Sequence, residues 1–137
     1  MKKEIEYSLK EMPGIIPEIF AQLDKKIILF EGDMGSGKTT LIKEMAHFLK
    51  TEDEPASPTF SIVNEYKIPQ GKIYHFDLYR LEDETEALDF GIEEYFSDPN
   101  AWIFIEWPQI ISDFIPQNSQ KIRIIVKNSD TRRIEIE

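Results

Sequence analysis

The residues best suited to chemistry lie at positions 32–39, where GDMGSGKT matches G-x-x-x-x-G-K-[S/T] at every fixed position. Glycines let consecutive backbone N–H groups approach phosphate oxygens, and Lys38 places a positive charge beside the β- and γ-phosphates. Thr39 offers a hydroxyl to Mg²⁺, and the N-terminus of a following helix adds partial positive charge. The motif predicts a loop that binds a nucleoside triphosphate. The alternative is a glycine-rich turn that binds nothing.

The residues expected to contact the nucleotide are mostly in this loop. They are Asp33, Met34, Gly35, Ser36, Gly37, Lys38, Thr39 and Thr40, together with Thr59 and Trp107. Thr59 follows the loop after the motif's helix, where switch-type NTPases place a threonine that senses the γ-phosphate and Mg²⁺, although an N-cap or turn role is an equal alternative. Trp107 could border the nucleotide or belong to the core.

Two acids follow short apolar segments, and such positions collect ligands at the carboxyl ends of strands in open α/β sheets. Asp77 closes the segment at residues 73–76, and Glu106 closes the segment at 102–105. An ATPase with such a phosphate-binding loop also needs an acid to hold the metal or orient the attacking water. We therefore expect Asp77 and Glu106 to act with Lys38 in catalysis and with Thr39 at the metal. The sequence leaves their division of roles open.

Two further polar residues admit less specific interpretations. Arg80, three residues beyond Asp77, could stabilise phosphate charge or form a surface ion pair. His75 is predicted to pack on its strand, because only His47 is available as a second histidine ligand.

The elements around the motif have the order that such a loop requires. Residues 27–30 form an unbroken apolar run, typical of a strand buried on both faces, and apolar residues recur at helical spacing over 41–49. Residues 60–68 and 72–80 predict two β-rich segments that form an antiparallel hairpin or are joined by a wide loop, and 101–105 predict another buried strand. Helices are expected over 12–23, despite Pro17, over 84–96 and from Pro108 toward Phe114, with terminal strands at 121–127 and 132–136. The pattern predicts an α/β layered fold with a mixed, mainly parallel sheet flanked by helices.

Composition sets outer limits on function. The 137 residues suit a single domain, and the absence of cysteine excludes disulfides and thiolate metal sites. A net charge of -10 argues against direct DNA or RNA binding. The N-terminus carries acids where a signal peptide would be apolar, and no long apolar run occurs, so we expect a soluble, cytoplasmic protein without membrane association.

Five segments, in this order and spacing, resemble the TsaE (YjeE) family. They are GDMGSGKTT at 32–40, SPTF at 57–60, HFDLYRL at 75–81, ALDFGIEEYF at 87–96 and IEWP at 105–108. The resemblance spans residues 26–108, and the combination of SPTF, HFDLYR and IEW is more specific than the phosphate-binding loop alone.

The resemblance implies a P-loop ATPase of the bacterial machinery that makes threonylcarbamoyladenosine (t6A) in tRNA. It implies ATP or ADP and Mg²⁺ as ligands, TsaB and TsaD as protein partners, and contact with tRNA only through that complex. It places Lys38 and Thr39 on the nucleotide and Mg²⁺, and Asp77 and Glu106 in metal binding and catalysis. Thr59 becomes the switch-like threonine and Trp107 the aromatic residue near the nucleotide.

Three other classes share the phosphate-binding loop. A small-metabolite kinase normally needs several arginines to clamp two phosphorylated substrates, and this chain has four, three of them in or beside the terminal strands. A GTPase would carry N-K-x-D, whereas residues 127–130 read KNSD. ATP is therefore the expected nucleotide. A nucleotide-sensing subunit that does not hydrolyse ATP remains the third alternative.

Overall fold

A β-sheet of seven strands organises the structure, a computed structural model that describes residues 2–55 and 62–137. The strands are β1 (Lys3–Ser8), β2 (Ile27–Glu31), β3 (Val63–Ile68), β4 (Gly71–Asp77), β5 (Ala101–Glu106), β6 (Ser119–Val126) and β7 (Thr131–Ile136). The helices are α1 (Met12–Ala21), α2 (Lys38–Phe48), α3 (Glu84–Phe90) and α4 (Ile92–Phe96), with 3₁₀ helices at Leu9–Glu11 and Pro108–Phe114.

The strand order is β1-β7-β6-β2-β5-β4-β3. The four central strands, β6, β2, β5 and β4, are mutually parallel, while β3 and β7 run antiparallel to their neighbours. Because β1 is antiparallel to β7, five of the seven strands point the same way. The predicted α/β layered fold with a mixed, mainly parallel sheet is confirmed. Its consequence is that β2, β5 and β4 end at the same edge.

Helices cover both faces of the central strands, which explains why β2 and β5 are apolar without alternation. One core layer packs α1 and α2 against residues such as Phe30 and Phe104. The opposite layer packs α3, α4 and the second 3₁₀ helix against residues such as Leu29 and Ile105. The site at the strand ends is therefore supported by a buried strand pair.

Several elements differ from the sequence prediction in length or type. The predicted helix over 84–96 is two helices, because Gly91 adopts φ +86° between them. The segment after Trp107 is a 3₁₀ helix, and β4 ends at Asp77 instead of continuing to Arg80. Pro17 lies inside α1 and costs that helix one backbone hydrogen bond without ending it.

The N-terminal strand β1 was not predicted. It pairs with β7 and places Ile5 and Tyr7 in the core, while the residue before each of them, Glu4 and Glu6, is exposed. This alternation is a strand pattern, but it is short and rich in acids. Among the described residues, no helix is long and apolar enough to cross a membrane.

Candidate functional site

The phosphate-binding motif connects β2 to α2, as the sequence predicted. Gly35 and Gly37 adopt φ +78° and +105°, and apart from the adjoining chain no protein atom lies within 4 Å of a Cβ placed on either residue. Gly37 is also the N-cap residue of α2. These positive φ angles strain any side-chain-bearing residue, and the open space beside them leaves the loop backbone accessible. The loop has the form of an anion cradle at a helix N-terminus.

Gly32, unlike Gly35 and Gly37, is a position where a side chain would collide with neighbouring atoms. A Cβ at this position would be 2.6 Å from Ser36 Oγ and 3.0 Å from the Ile124 carbonyl oxygen. The Ser36 N–H donates to the Asp33 carbonyl at 3.0 Å and closes a turn inside the loop. A second contact comes from β7, where Arg132 Nε donates to the Ser36 carbonyl at 3.1 Å. These contacts hold the shape of the loop from within the protein.

Lys38 is folded back onto this loop and is only 5% exposed. Its Nζ donates to the Gly32 carbonyl at 2.5 Å and to the Asp33 carbonyl at 3.2 Å, and it lies 3.9 Å from the centroid of the Trp107 ring. Burial lowers the pKa of Lys38, and the nearby carboxylates of Glu106, Asp77 and Asp33 oppose that shift. The ammonium group is thus bonded by uncharged carbonyl oxygens and an aromatic ring, and charged phosphate oxygens could replace these partners.

Glu106 is the most constrained acid of the site and is 3% exposed. Thr39 Oγ1 donates toward both of its carboxylate oxygens, at 3.1 Å and 3.0 Å. His75 Nε2 lies 2.7 Å from Glu106 Oε2, and Tyr66 Oη lies 3.3 Å from His75 Nδ1. Four side chains from α2, β5, β4 and β3 therefore form one buried chain of hydrogen bonds that ends at the motif threonine.

Asp77 stands directly beside Glu106 in the strand register but in a looser environment. It is half-buried, and its Oδ1 accepts the backbone N–H of Tyr79 at 3.1 Å. Burial raises the pKa of Asp77, the charge of Glu106 raises it further, and the Tyr79 N–H, His75 and Lys38 act in the other direction. Glu106, at the end of β5, is thus held firmly, whereas Asp77, at the end of β4, is partly open to solvent.

A cavity of about 370 Å³ lies above these strand ends. Its lining comprises Met34, Gly35, Ser36, Gly37, Lys38, Thr39, Thr40, Asp77, Tyr79, Glu106 and Trp107. Of the residues expected at the nucleotide, Asp33 lines a neighbouring cavity instead and meets Lys38 through its carbonyl group. Thr59 lies outside the described residues. The structure thus brings together the phosphate loop, both acids and the tryptophan.

The structure also places Trp107 and Arg80, for each of which the sequence allows two roles. Trp107 lines the cavity and also packs against the core beside α3 and α4, so both of its interpretations describe part of its environment. Arg80 is exposed on the segment after β4 and is not among the residues that line the cavity.

Sequence reasoning missed three residues around the cavity. His75 is fully buried on its strand, as predicted, but it also contacts Glu106. Strand alternation was the available signal, because it places His75 and Asp77 on the same face of β4. Tyr79 lies 5.0 Å from Trp107, ring centroid to ring centroid, and Arg132 reaches the loop from β7. No local pattern predicts that last contact, since residues 36 and 132 are distant in sequence.

The donor set suits a magnesium ion that arrives with phosphate. Among residues 2–55 and 62–137, no group of three or more His, Asp or Glu side chains is arranged to hold a metal by itself. The Thr39 hydroxyl and the Glu106 carboxylate offer hard oxygen ligands side by side. Mg²⁺ is typically held by one or two protein oxygens, water and substrate phosphates. The residues present therefore fit Mg²⁺ bound together with a nucleotide.

The fold and the site define a class. A glycine-rich loop between a buried parallel strand and a helix, with acids at the ends of the next two strands, is the architecture of P-loop NTPase-like proteins.

Comparison with known proteins narrows this class to one family. Residues 7–134 match the family model described as Threonylcarbamoyl adenosine biosynthesis protein TsaE. The chain belongs to the TsaE family.

Individual relatives agree with this placement. The chain is 37% identical over 110 residues to the tRNA threonylcarbamoyladenosine biosynthesis protein TsaE of Bacillus subtilis, a match covering 80% of this chain and 66% of that protein. It is 35% identical to the Haemophilus influenzae protein of the same name, over 96% of this chain and 84% of the relative. The crystal structure of Bacillus subtilis YdiB superposes with a TM-score of 0.70 at 28% identity, over 99% of this chain and 86% of that one.

Proposed function

We propose that this chain binds Mg-ATP at the described cavity, hydrolyses it slowly, and acts with TsaB and TsaD in forming t6A in tRNA. The observation that carries the proposal is the contact between Thr39 and Glu106 at the N-terminus of α2, with Lys38 beside it. Family membership supports the biosynthetic role. Such a step in tRNA maturation fits a cytoplasmic protein.

Each residue has a part in this proposal that follows from its position. The loop N–H groups and Lys38 neutralise the phosphate chain, and Thr39 and Glu106 would hold Mg²⁺, which would supply further positive charge. Glu106, which is held firmly, suits the metal side. Asp77, which is partly open and has a raised pKa, suits the orientation of the attacking water.

The surface around the cavity supports a protein partner. Met34 at the tip of the loop is 63% exposed and Tyr79 is 57% exposed, and both line the cavity mouth. Large apolar side chains on a rim are typical of surfaces that another protein covers. The net charge of -10 makes unaided tRNA binding unfavourable, so the proposal places tRNA contact on the partners.

The test is ATP turnover by the purified chain, alone and with TsaB and TsaD, alongside formation of modified adenosine. We expect slow turnover alone, a change in rate with the partners, and t6A formation that requires all three proteins. Lys38→Ala should lose Mg-ATP binding while remaining folded, because its ammonium group contacts two loop carbonyls and the Trp107 ring beside the cavity and is not part of the apolar core.

Lys43→Ala is the matched control, since Lys43 lies on the same helix and does not line the cavity. Normal ATP binding by a folded Lys38→Ala variant would refute the proposed site. ATP binding without turnover, with or without the partners, would support a nucleotide-sensing subunit instead.

A further inference from the structure

Behind Glu106, a chain of hydrogen bonds runs through His75 to Tyr66, away from the cavity. We propose that His75, held by Tyr66, is a positioning residue that fixes the Glu106 carboxylate for metal binding at Thr39. This inference rests on the proposed Mg-ATP site. It concerns how that site is built and does not make His75 a ligand of the metal or the nucleotide.

The hydrogen-bond partners fix the orientation of the His75 ring. A carboxylate oxygen accepts hydrogen bonds, so His75 Nε2, 2.7 Å from Glu106 Oε2, is placed to donate to Glu106. The other ring nitrogen, Nδ1, lies 3.3 Å from Tyr66 Oη, within hydrogen-bonding distance. Both ring nitrogens therefore have a partner, and the contact with Tyr66 holds the ring with Nε2 toward Glu106.

Burial makes this arrangement necessary. Glu106, His75 and Tyr66 are 3%, 0% and 4% exposed, so water cannot replace a missing hydrogen bond easily. Ile73, two residues earlier on the same face of β4, fills an equally buried position with an apolar side chain. A buried imidazole is costly unless its nitrogens are bonded. Packing alone would be served by another apolar residue at position 75.

Thr39 and His75 share the carboxylate unequally. The Thr39 hydroxyl lies at 3.1 Å and 3.0 Å from the two oxygens, whereas His75 makes one shorter contact, to Oε2. If the hydroxyl of Thr39 turns to another ligand, His75 still holds Oε2, and Oε1 remains available beside the loop. Partners behind a metal ligand typically change metal affinity by about 10- to 100-fold when they are removed.

The first test uses the ligand-free protein and does not depend on activity. The chain contains only two histidines, so ¹⁵N NMR of the wild type and of His47→Gln assigns the ring nitrogens of His75 directly. We expect a protonated, slowly exchanging Nε2. Glu106→Gln should shift the Nε2–H signal strongly, and Asp77→Asn should shift it much less. An unprotonated Nε2, or an Nε2–H that exchanges rapidly with solvent, would overturn the inference.

The second test measures the Mg²⁺ concentration that half-saturates ATP binding, by calorimetry. His75→Leu should raise that concentration about 10- to 100-fold, and His75→Gln, which keeps a donor near the position of Nε2, should restore most of the affinity. Tyr66→Phe should raise it by a smaller factor. Tyr74→Phe is the control, because Tyr74 lies on β4 but packs on the opposite face and bonds to Asp98.

The outcomes separate the two proposals. A wild-type chain that binds no Mg-ATP overturns the proposed site and the metal-positioning role together. A wild type that binds Mg-ATP, with His75→Leu and Tyr66→Phe both folded and unchanged in Mg²⁺ dependence, overturns only the role of His75. If His75→Leu does not fold, Tyr66→Phe decides the question, since its hydroxyl touches Nδ1 and not Glu106.

Discussion

Two carboxylates reach the same cavity from neighbouring strands, and their surroundings differ. Asp77 and Glu106 are register partners at the ends of β4 and β5. Glu106 is buried and bonded by the side chains of Thr39 and His75, whereas Asp77 is half-buried and accepts the backbone N–H of Tyr79. A buried charge must have donors around it, and those donors also fix its position. Equal places in the topology thus give one rigid acid and one less constrained acid.

The difference teaches how a site can divide its tasks with chemically similar groups. In the proposed division of tasks Glu106 is the metal ligand, which must be held in one place, and the hydrogen bonds behind Glu106 restrict its movement. A group that orients water benefits from access to solvent and from a raised pKa. Asp77 has both properties. The following predictions break or sharpen this contrast.

Glu106→Gln should have the largest effect. It removes the charge beside Thr39 and weakens the hydrogen bond from His75, so we expect hydrolysis to fall by at least about a hundredfold. The Mg²⁺ requirement for ATP binding should rise as well. Steady-state turnover and calorimetry at several Mg²⁺ concentrations measure the two effects. Glu65→Gln, on the exposed side of β3, is the control, and a variant with an unchanged Mg²⁺ requirement would contradict the metal-side role of Glu106.

Asp77→Asn should lower hydrolysis by a similar or smaller factor, about 10²- to 10⁴-fold, but through a different step. Because the loop, Lys38 and Glu106 are untouched, Mg-ATP affinity should remain within a few-fold of wild type. A strong loss of Mg-ATP binding would show that Asp77 also holds the metal, and the contrast with Glu106 would fail. Asp98→Asn, far from the cavity beside Tyr74, provides the matched aspartate control.

Much of this site could be predicted from sequence because its parts have local signals. The phosphate loop has fixed spacing, and the two acids follow apolar strands, so the sequence alone predicts that Lys38, Asp77 and Glu106 belong to one candidate site. Their proximity also followed from parallel strands ending at one edge. What sequence could not give was the contrast between the acids, since it depends on partners contributed by other elements.

The missed features have the same origin. The role of His75 requires Tyr66 from β3 and Glu106 from β5, and the contact of Arg132 with Ser36 joins distant segments. The break at Gly91 was present in the sequence, but a single glycine inside an otherwise helical pattern is compatible with a continuous helix. Segment β1 is a strand because it pairs with β7. Its sequence alone gives only a weak strand signal, since the alternation of apolar and acidic residues is short.

Trp107 should report on the nucleotide because it follows Glu106 and covers Lys38. The Lys38 ammonium lies over its ring, so phosphate that draws Lys38 away should change the tryptophan fluorescence. Adding Mg-ATP should therefore alter emission in the wild type and in Trp102→Phe, but much less in Trp107→Phe. Trp102 is the natural control, since it lies at the start of β5 against Phe20. A signal that survives in Trp107→Phe would separate this residue from the nucleotide.

The smallest expected effect is on stability, and it should have opposite signs for the two acids. The raised pKa of Asp77 means that the fold disfavours its charged form, so Asp77→Asn should raise the melting temperature of the ligand-free protein slightly at neutral pH. Glu106→Gln should lower the melting temperature, because it disturbs buried partners.

The pH dependence of the melting temperature tests why Asp77→Asn should be more stable than the wild type. An aspartate whose folded pKa exceeds its unfolded value of about 3.9 makes the fold less stable as pH rises through the interval between the two values. Asp77→Asn lacks this decline, so its advantage over wild type should be complete at neutral pH and should vanish as pH falls toward the unfolded value. Thermal melts of both proteins across this range measure the difference. If Asp77→Asn is still more stable than the wild type at low pH, the introduced amide stabilises the fold through packing or hydrogen bonding. The charge of Asp77 would then not be what destabilises the wild type.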